Sequence, residues 1–269
     1  MNIRLTRAVR FSAGHRYWVP EWTGEENRRV FGASARPHGH DYVVEATVEG
    51  EIDRTLGMVV NITEVKAALN DAIEPLDGVF LDREHPLFRD RVPTTENLSL
   101  LIWERLAKRL AGCRPVRVRV HEKADQYCDN EGEGRTVYLT RRYEFSAAHR
   151  LHSDVLPDEE NRRIFGKCNN PNGHGHNYGI DVTVAGEIDP VTGMIADLAR
   201  LDEIVSRRAI DRMDHRHLNL DLPEFGSMNP TSENLAVVIW DLLRPELGES
   251  LAKIGIRETE RNYFEYRGR

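Results

Sequence analysis

At 269 residues the chain has room for two domains of ordinary size. Hydrophobic residues make up 40% and charged residues 30%, a balance that excludes a disordered or fibrous chain. A net charge of −7 offers no general attraction for nucleic acid, so no nucleic-acid partner is expected and an anionic ligand needs a local basic patch.

The opening MNIRLTRAVRF reads as a strand and lacks the apolar centre of a signal peptide. The longest apolar runs, LSLLIW at 98–103 and AVVIW at 236–240, fall far short of the roughly 18 residues that span a bilayer. Three cysteines, Cys113, Cys128 and Cys168, form no pairing pattern, so a reducing compartment and a cytoplasmic location are expected. Residues 3–14 and 41–50 alternate apolar and polar side chains and predict an antiparallel strand pair. Between them, a stretch with Trp18, Pro20, Trp22, Gly24 and Gly32 reads as a long loop, a length that is usually functional or disordered. A helix is predicted over 62–73, with Val65, Leu69 and Ile73 on one stripe, and a second over 93–110, with Leu98, Ile102 and Leu106. Residues 115–125 alternate again, and CDNEGEG at 128–134 reads as a linker. The plan then repeats: strands near 136–148 and 177–188, helices near 198–211 and 231–244, and a strand pair from Lys253 to Tyr266. Trp103 and Trp240 occupy matching helix positions and read as core.

The repetition extends to particular residues. FSAGHR at 11–16 returns as FSAAHR at 145–150, EENRRVFG at 25–32 as EENRRIFG at 159–166, and HGHDY at 38–42 as HGHNY at 174–178. GEIDRTLGM matches GEIDPVTGM, PTTENL matches PTSENL, and HEKADQY matches RETERNY. One duplicated module explains this, with residues 1–134 and 135–269 as the two copies. The order strand–strand–helix–helix–strand–strand argues for an α+β domain: an antiparallel four-stranded sheet with two helices on one face. Two open edges per sheet favour edge pairing with further modules, closing a barrel.

Each HGH places two imidazoles on one face of a strand, because residues i and i+2 point the same way. His149, at the end of a neighbouring predicted strand, can supply a third ligand beside His174 and His176; His15, His38 and His40 repeat the set. Three imidazoles and no fourth protein ligand leave zinc an open position, the mark of a catalytic site. The alternative for the first set is a polar barrel mouth without metal.

Phe165 to Tyr178 (FGKCNNPNGHGHNY), with upstream SAAHRL and DEEN and downstream GEIDPVTGM, MDHRHLN and TSENLAVVIWD, resembles the 6-pyruvoyltetrahydropterin synthase family. The resemblance covers 136–269 closely and 1–127 more loosely. It implies the tunnelling fold, in which three modules close a twelve-stranded barrel and two barrels stack. It also implies elimination of triphosphate from 7,8-dihydroneopterin triphosphate with internal rearrangement to 6-pyruvoyltetrahydropterin. By the same resemblance His149, His174 and His176 bind zinc, Cys168 is the proton-abstracting base, Asp214 and His215 relay protons, and Glu258 anchors the pterin. Thr231 and Ser232 are expected to contact substrate, and Mg2+ to accompany the triphosphate. Each residue has a plainer alternative: Cys168 as a small hydrophobe, Asp214 and His215 as a helix-end pair, Glu258 as a strand surface charge. His152 and His217 match no motif position.

The gap of five residues between Cys168 and His174 resembles the branch that serves tetrahydrobiopterin synthesis; a 6-carboxytetrahydropterin synthase or a pterin-binding scaffold without turnover are the alternatives. The first module keeps its histidines and Glu122, but ASARP replaces KCNNPNG, so Ala33 or Ser34 falls where the cysteine is expected. It keeps Asp77 but has Gly78 in place of His215. One zinc per module and one catalytic module, the second, are therefore expected. Since a barrel needs three modules, a homotrimer of two-module chains follows.

Overall fold

The computed structural model describes residues 2–268. Strand β1 (Asn2–His15) pairs antiparallel along its whole length with β2 (His38–Glu51), Asn2 facing Glu51 and His15 facing His38. The HGH motif opens β2, as the reading of its imidazoles on one strand face expects, and the strand starts three residues before the alternating stretch at 41–50. Between the two strands the expected loop contains a helix, α1 (Gly24–Phe31). Its start is fixed by a reciprocal cap: Thr23 Oγ1 accepts from the Glu26 N–H, and the Glu26 carboxylate accepts from the Thr23 N–H.

Helix α2 (Ile62–Ile73), short α3 (Leu81–Glu84) and α4 (Thr95–Ala107) follow. Val65, Leu69, Ile73, Leu98, Ile102 and Leu106 all bury into one core with Phe11, Tyr42, Val44, Val118 and Val120 of the sheet. β3 (Arg114–Lys123) pairs with β2, and β4 (Gln126–Asn130) with β3. Cys128 to Asn130, expected in a linker, are instead buried in β4, where Cys128 faces Val120.

The second copy runs β5 (Thr136–His149), α5 (Asp158–Phe165), β6 (His174–Glu187), then α6 (Leu198–Val205), which passes through a π turn (Ser206–Ile210) into α7 (Asp211–Met213). A two-residue strand, β7 (Arg216–His217), pairs parallel with the end of β5. Then come α8 (Leu218–Asp221), α9 (Ser232–Leu247), β8 (Leu251–Thr259) and β9 (Asn262–Tyr266). Strand order is β1–β2–β3–β4 in the first copy and β5–β6–β8–β9 in the second, the α+β plan of an antiparallel four-stranded sheet with helices. Trp240 is buried and Trp103 partly so, both as expected of core residues. Two compact units divide the chain: one holds the residues up to Leu139 together with Ala185–Asp197, the other Thr140–Val184 and the chain from Leu198 onward. No described helix is long and apolar enough to cross a membrane.

Two candidate metal centres

The pleat of β2 sends His38 and His40 to the same face, and the register sets His15 against His38. The ring centroids of His15 lie 4.5 Å from His38 and 5.2 Å from His40, which are 5.0 Å apart. In the second copy His149 lies 4.7 Å from His174 and 5.3 Å from His176, and those two are 4.8 Å apart. In each triad one nitrogen per ring falls within 4.8 Å of the others, close enough for one ion.

Hydrogen bonds fix the tautomer of the deepest ring in each set. His149 Nδ1 donates to the Pro230 carbonyl at 2.8 Å, which leaves its Nε2 a free lone pair, and His15 Nδ1 donates to the Pro93 carbonyl at 3.1 Å, with the Tyr42 hydroxyl 3.4 Å from its Nε2. Nε2 of His149, His174 and His40 is buried without a hydrogen-bond partner among the described residues. Burial is the main reason that His149, His174 and His176 titrate below an ordinary imidazole; His15 is pushed down to about 4 and His40 is also lowered. Buried, neutral imidazoles with orphaned nitrogens turned to a common point are costly without a ligand and fit a divalent cation.

Around the second triad, Glu258 Oε1 lies 3.9 Å from His176 Nε2. Cys168 sits on a 3-10 turn (Gly166–Asn169), whose carbonyl at Cys168 accepts from the Leu151 N–H and ties the turn to the end of β5. Desolvation first, and then the Glu258 carboxylate, push the thiol above its usual value, with Lys167 opposing. Left to this chain alone, Cys168 is a thiol at neutral pH and needs a nearby cation to ionise.

Asp214 Oδ2 lies 2.9 Å from His215 Nδ1, while its other oxygen accepts from the Ser146 N–H at 2.9 Å. These contacts, the backbone one first, hold the Asp214 carboxyl below its ordinary value. The His215 N–H donates to the Ser146 carbonyl, clamping the residue to β5. His215 is the one non-glycine among the described residues with positive φ, 56°, and its side chain is 83% exposed. Backbone strain of this kind gathers at functional sites. An open groove of about 630 Å³ is lined by His176 and His215 together with Ser146, Asn177 and Arg216. His217, set aside in the sequence for want of a motif, lines it too, with a buried, unpartnered Nδ1 among the described residues. The only signal for it was divergence between copies, Phe80 standing where His217 does.

Thr231 caps α9 through its hydroxyl, and Ser232 Oγ is buried without a partner among the described residues. His152 is held by Asn169, a structural pairing. In the first copy Asp77 accepts from the Ser12 N–H at 2.9 Å, repeating Asp214, but Gly78 at φ 72° carries no side chain. The Ser34 carbonyl accepts from the Tyr17 N–H. His85 pairs with Arg105 and His121 with Glu45, so neither replaces the missing groups.

The family model for 6-pyruvoyl tetrahydropterin synthase matches twice, over residues 4–133 and 138–269. The chain is 49% identical over 141 residues to human 6-pyruvoyl tetrahydrobiopterin synthase, a match covering 51% of this chain and 97% of that protein. It is 50% identical over 135 residues to the Poecilia reticulata enzyme of the same name, covering 50% and 92%. The solved Caenorhabditis elegans 6-pyruvoyl tetrahydropterin synthase is 46% identical, covers 50% of this chain and 96% of that one, and superposes with a TM-score of 0.48. Matched along nearly its whole length by two copies of one family model, the chain belongs to the 6-pyruvoyl tetrahydropterin synthase family as a tandem duplicate.

Proposed function

We propose that the chain is a zinc-dependent 6-pyruvoyltetrahydropterin synthase whose second module does the chemistry. The observation that carries this is the company of the second triad: a thiol, an Asp–His pair and Glu258 accompany three neutral imidazoles, whereas the first triad has only the carboxylate and an aspartate. His149, His174 and His176 would hold the zinc ion, which supplies Lewis-acid polarisation of side-chain oxygens and a positive field.

The remaining steps belong to the chain's own groups. Glu258 is suited to accept from the amide-like edge and amino group of the pterin, which sets its orientation. Cys168, once ionised, takes the proton from the carbon next to the ring, and that carbon's hydroxyl becomes a ketone as ring C6 and N5 each gain a hydrogen. Loss of triphosphate from the terminal carbon with a proton from its neighbour then leaves an enol, which tautomerises to a methyl ketone. No external oxidant is required. His215, steadied by Asp214, stands in the groove where it can pass protons between these positions. Thr231 and Ser232 are proposed to line the substrate's approach. The described residues hold only the two histidine clusters as metal sites, so Mg2+ is proposed to enter with the triphosphate. We place the protein in the cytoplasm, and as a homotrimer that supplies six modules to two barrels; a monodisperse monomer in light scattering would remove the trimer.

The test of function is incubation of the zinc-loaded protein with 7,8-dihydroneopterin triphosphate and identification of the product. Pyruvoyl-pterin is expected. Carboxy-pterin with acetaldehyde would instead make it a 6-carboxytetrahydropterin synthase, and pterin binding without product would make it a scaffold.

A further inference from the structure

The two modules treat their matching carboxylates differently. Glu258 Oε1 lies 3.9 Å from His176 Nε2, and among the described residues no hydrogen bond reaches this carboxylate. Glu122 is 6% exposed and has the matching approach, His40 Nε2 at 3.5 Å from Oε1, but its Oε2 also accepts a hydrogen bond from the Tyr17 hydroxyl at 2.7 Å. Position 17 corresponds to Leu151 in the second module, which has no hydroxyl to offer. Tyr17 is itself 3% exposed and firmly seated. Its N–H donates to the Ser34 carbonyl at 2.7 Å, and its ring meets His15 and Phe31 edge-on at 5.2 and 5.9 Å. Val19, Ala35 and Val92 complete this buried cluster, with Trp18 and Trp22 packed against it.

A pterin edge needs the same carboxylate oxygens and the same flat space beside them. We propose that Tyr17 is a built-in occupant of the first module's pterin subsite, so that this module can hold a metal ion but excludes pterins. The chain then carries two metal sites and one pterin site. The inference rests on the reading that Glu258 receives the pterin in the second module. A first module without thiol or imidazole relay gains nothing from binding substrate; a filled subsite keeps it from competing with the working one.

Equilibrium dialysis of the full zinc-loaded chain against 7,8-dihydroneopterin, which has no triphosphate to lose, counts sites directly. One equivalent per chain is expected, and Tyr17→Leu should raise this to two while zinc content stays at two. Two equivalents in the unaltered protein, or one in a folded, zinc-replete Tyr17→Leu protein, would overturn the proposal. Glu258→Ala gives an arm that does not depend on that variant folding, and it should bind none. If one equivalent remains and adding Glu122→Ala removes it, the first subsite is open and Tyr17 does not close it. Binding that survives both substitutions would overturn the anchoring role of the carboxylates, and the inference with it.

Discussion

His215 offers a test in which strain and chemistry separate. Its φ of 56° lies in the left-handed region, and Gly78 takes 72° at the same point of the first module. Left-handed backbone costs a residue with a Cβ about 1–2 kcal/mol relative to glycine. Glycine returns about 0.4–1 kcal/mol of that through its more flexible unfolded chain. His215→Gly and His215→Ala both delete the imidazole, so their difference isolates the backbone: the glycine variant should be more stable by about 0.5–1 kcal/mol. For a chain of this size that corresponds to roughly 1–4 °C in melting temperature. Thermal melts of the two zinc-loaded variants at one protein concentration measure it, and both should lose most turnover. An alanine variant as stable as the glycine one would mean that the site holds no backbone strain, and the argument that function keeps a histidine there would collapse.

Cys168→Ala should cut turnover by about 10²–10⁴-fold with zinc content unchanged, as loss of a general base does; a near-normal rate would remove Cys168 from the chemistry. Changing His38 and His40 together to alanine should lower zinc from two ions per chain to one, by metal analysis, and leave second-module turnover largely intact. The pH dependence of the metal-stripped protein follows from His15, whose folded value of about 4 lies below the unfolded 6.5. The unfolded chain binds the proton first, so stability is full above 6.5 and is lost as pH falls from there towards 4. That loss is on the order of 2–3 kcal/mol from this group. Urea unfolding across that range should show it, and His15→Gln should flatten the slope; an unchanged slope would mean that His15 is not buried as a neutral ring.

What the sequence made legible was what periodicity and repetition encode. Alternation located the long strands, helical stripes placed Leu69 and Ile102 in the core, and duplication singled out six histidines from eleven. The helix Gly24–Phe31 escaped because its tryptophans and glycines outweighed a capping box, Thr23 with Glu26, that was readable there. Acidic and glycine residues after Cys128 suggested a linker, although three residues of that stretch complete a sheet. The Tyr17–Glu122 contact joins residues 105 apart, and no local pattern encodes such a meeting. The placement of His217 on the groove likewise depends on the pairing of β7 with β5.

The π turn at Ser206–Ile210 bears on how the two halves have grown apart. From buried Leu69 to buried Leu76 is seven residues, and from the matching Val205 to Met213 is eight. Asp77 and Asp214 nevertheless reach the Ser12 and Ser146 N–H groups at the same 2.9 Å. One added amino acid has been absorbed as a local widening of the coil, with the anchors on either side left where they were. This helix is thus a place where a copied gene can change length inside a packed core without moving the groups that its neighbour strand holds.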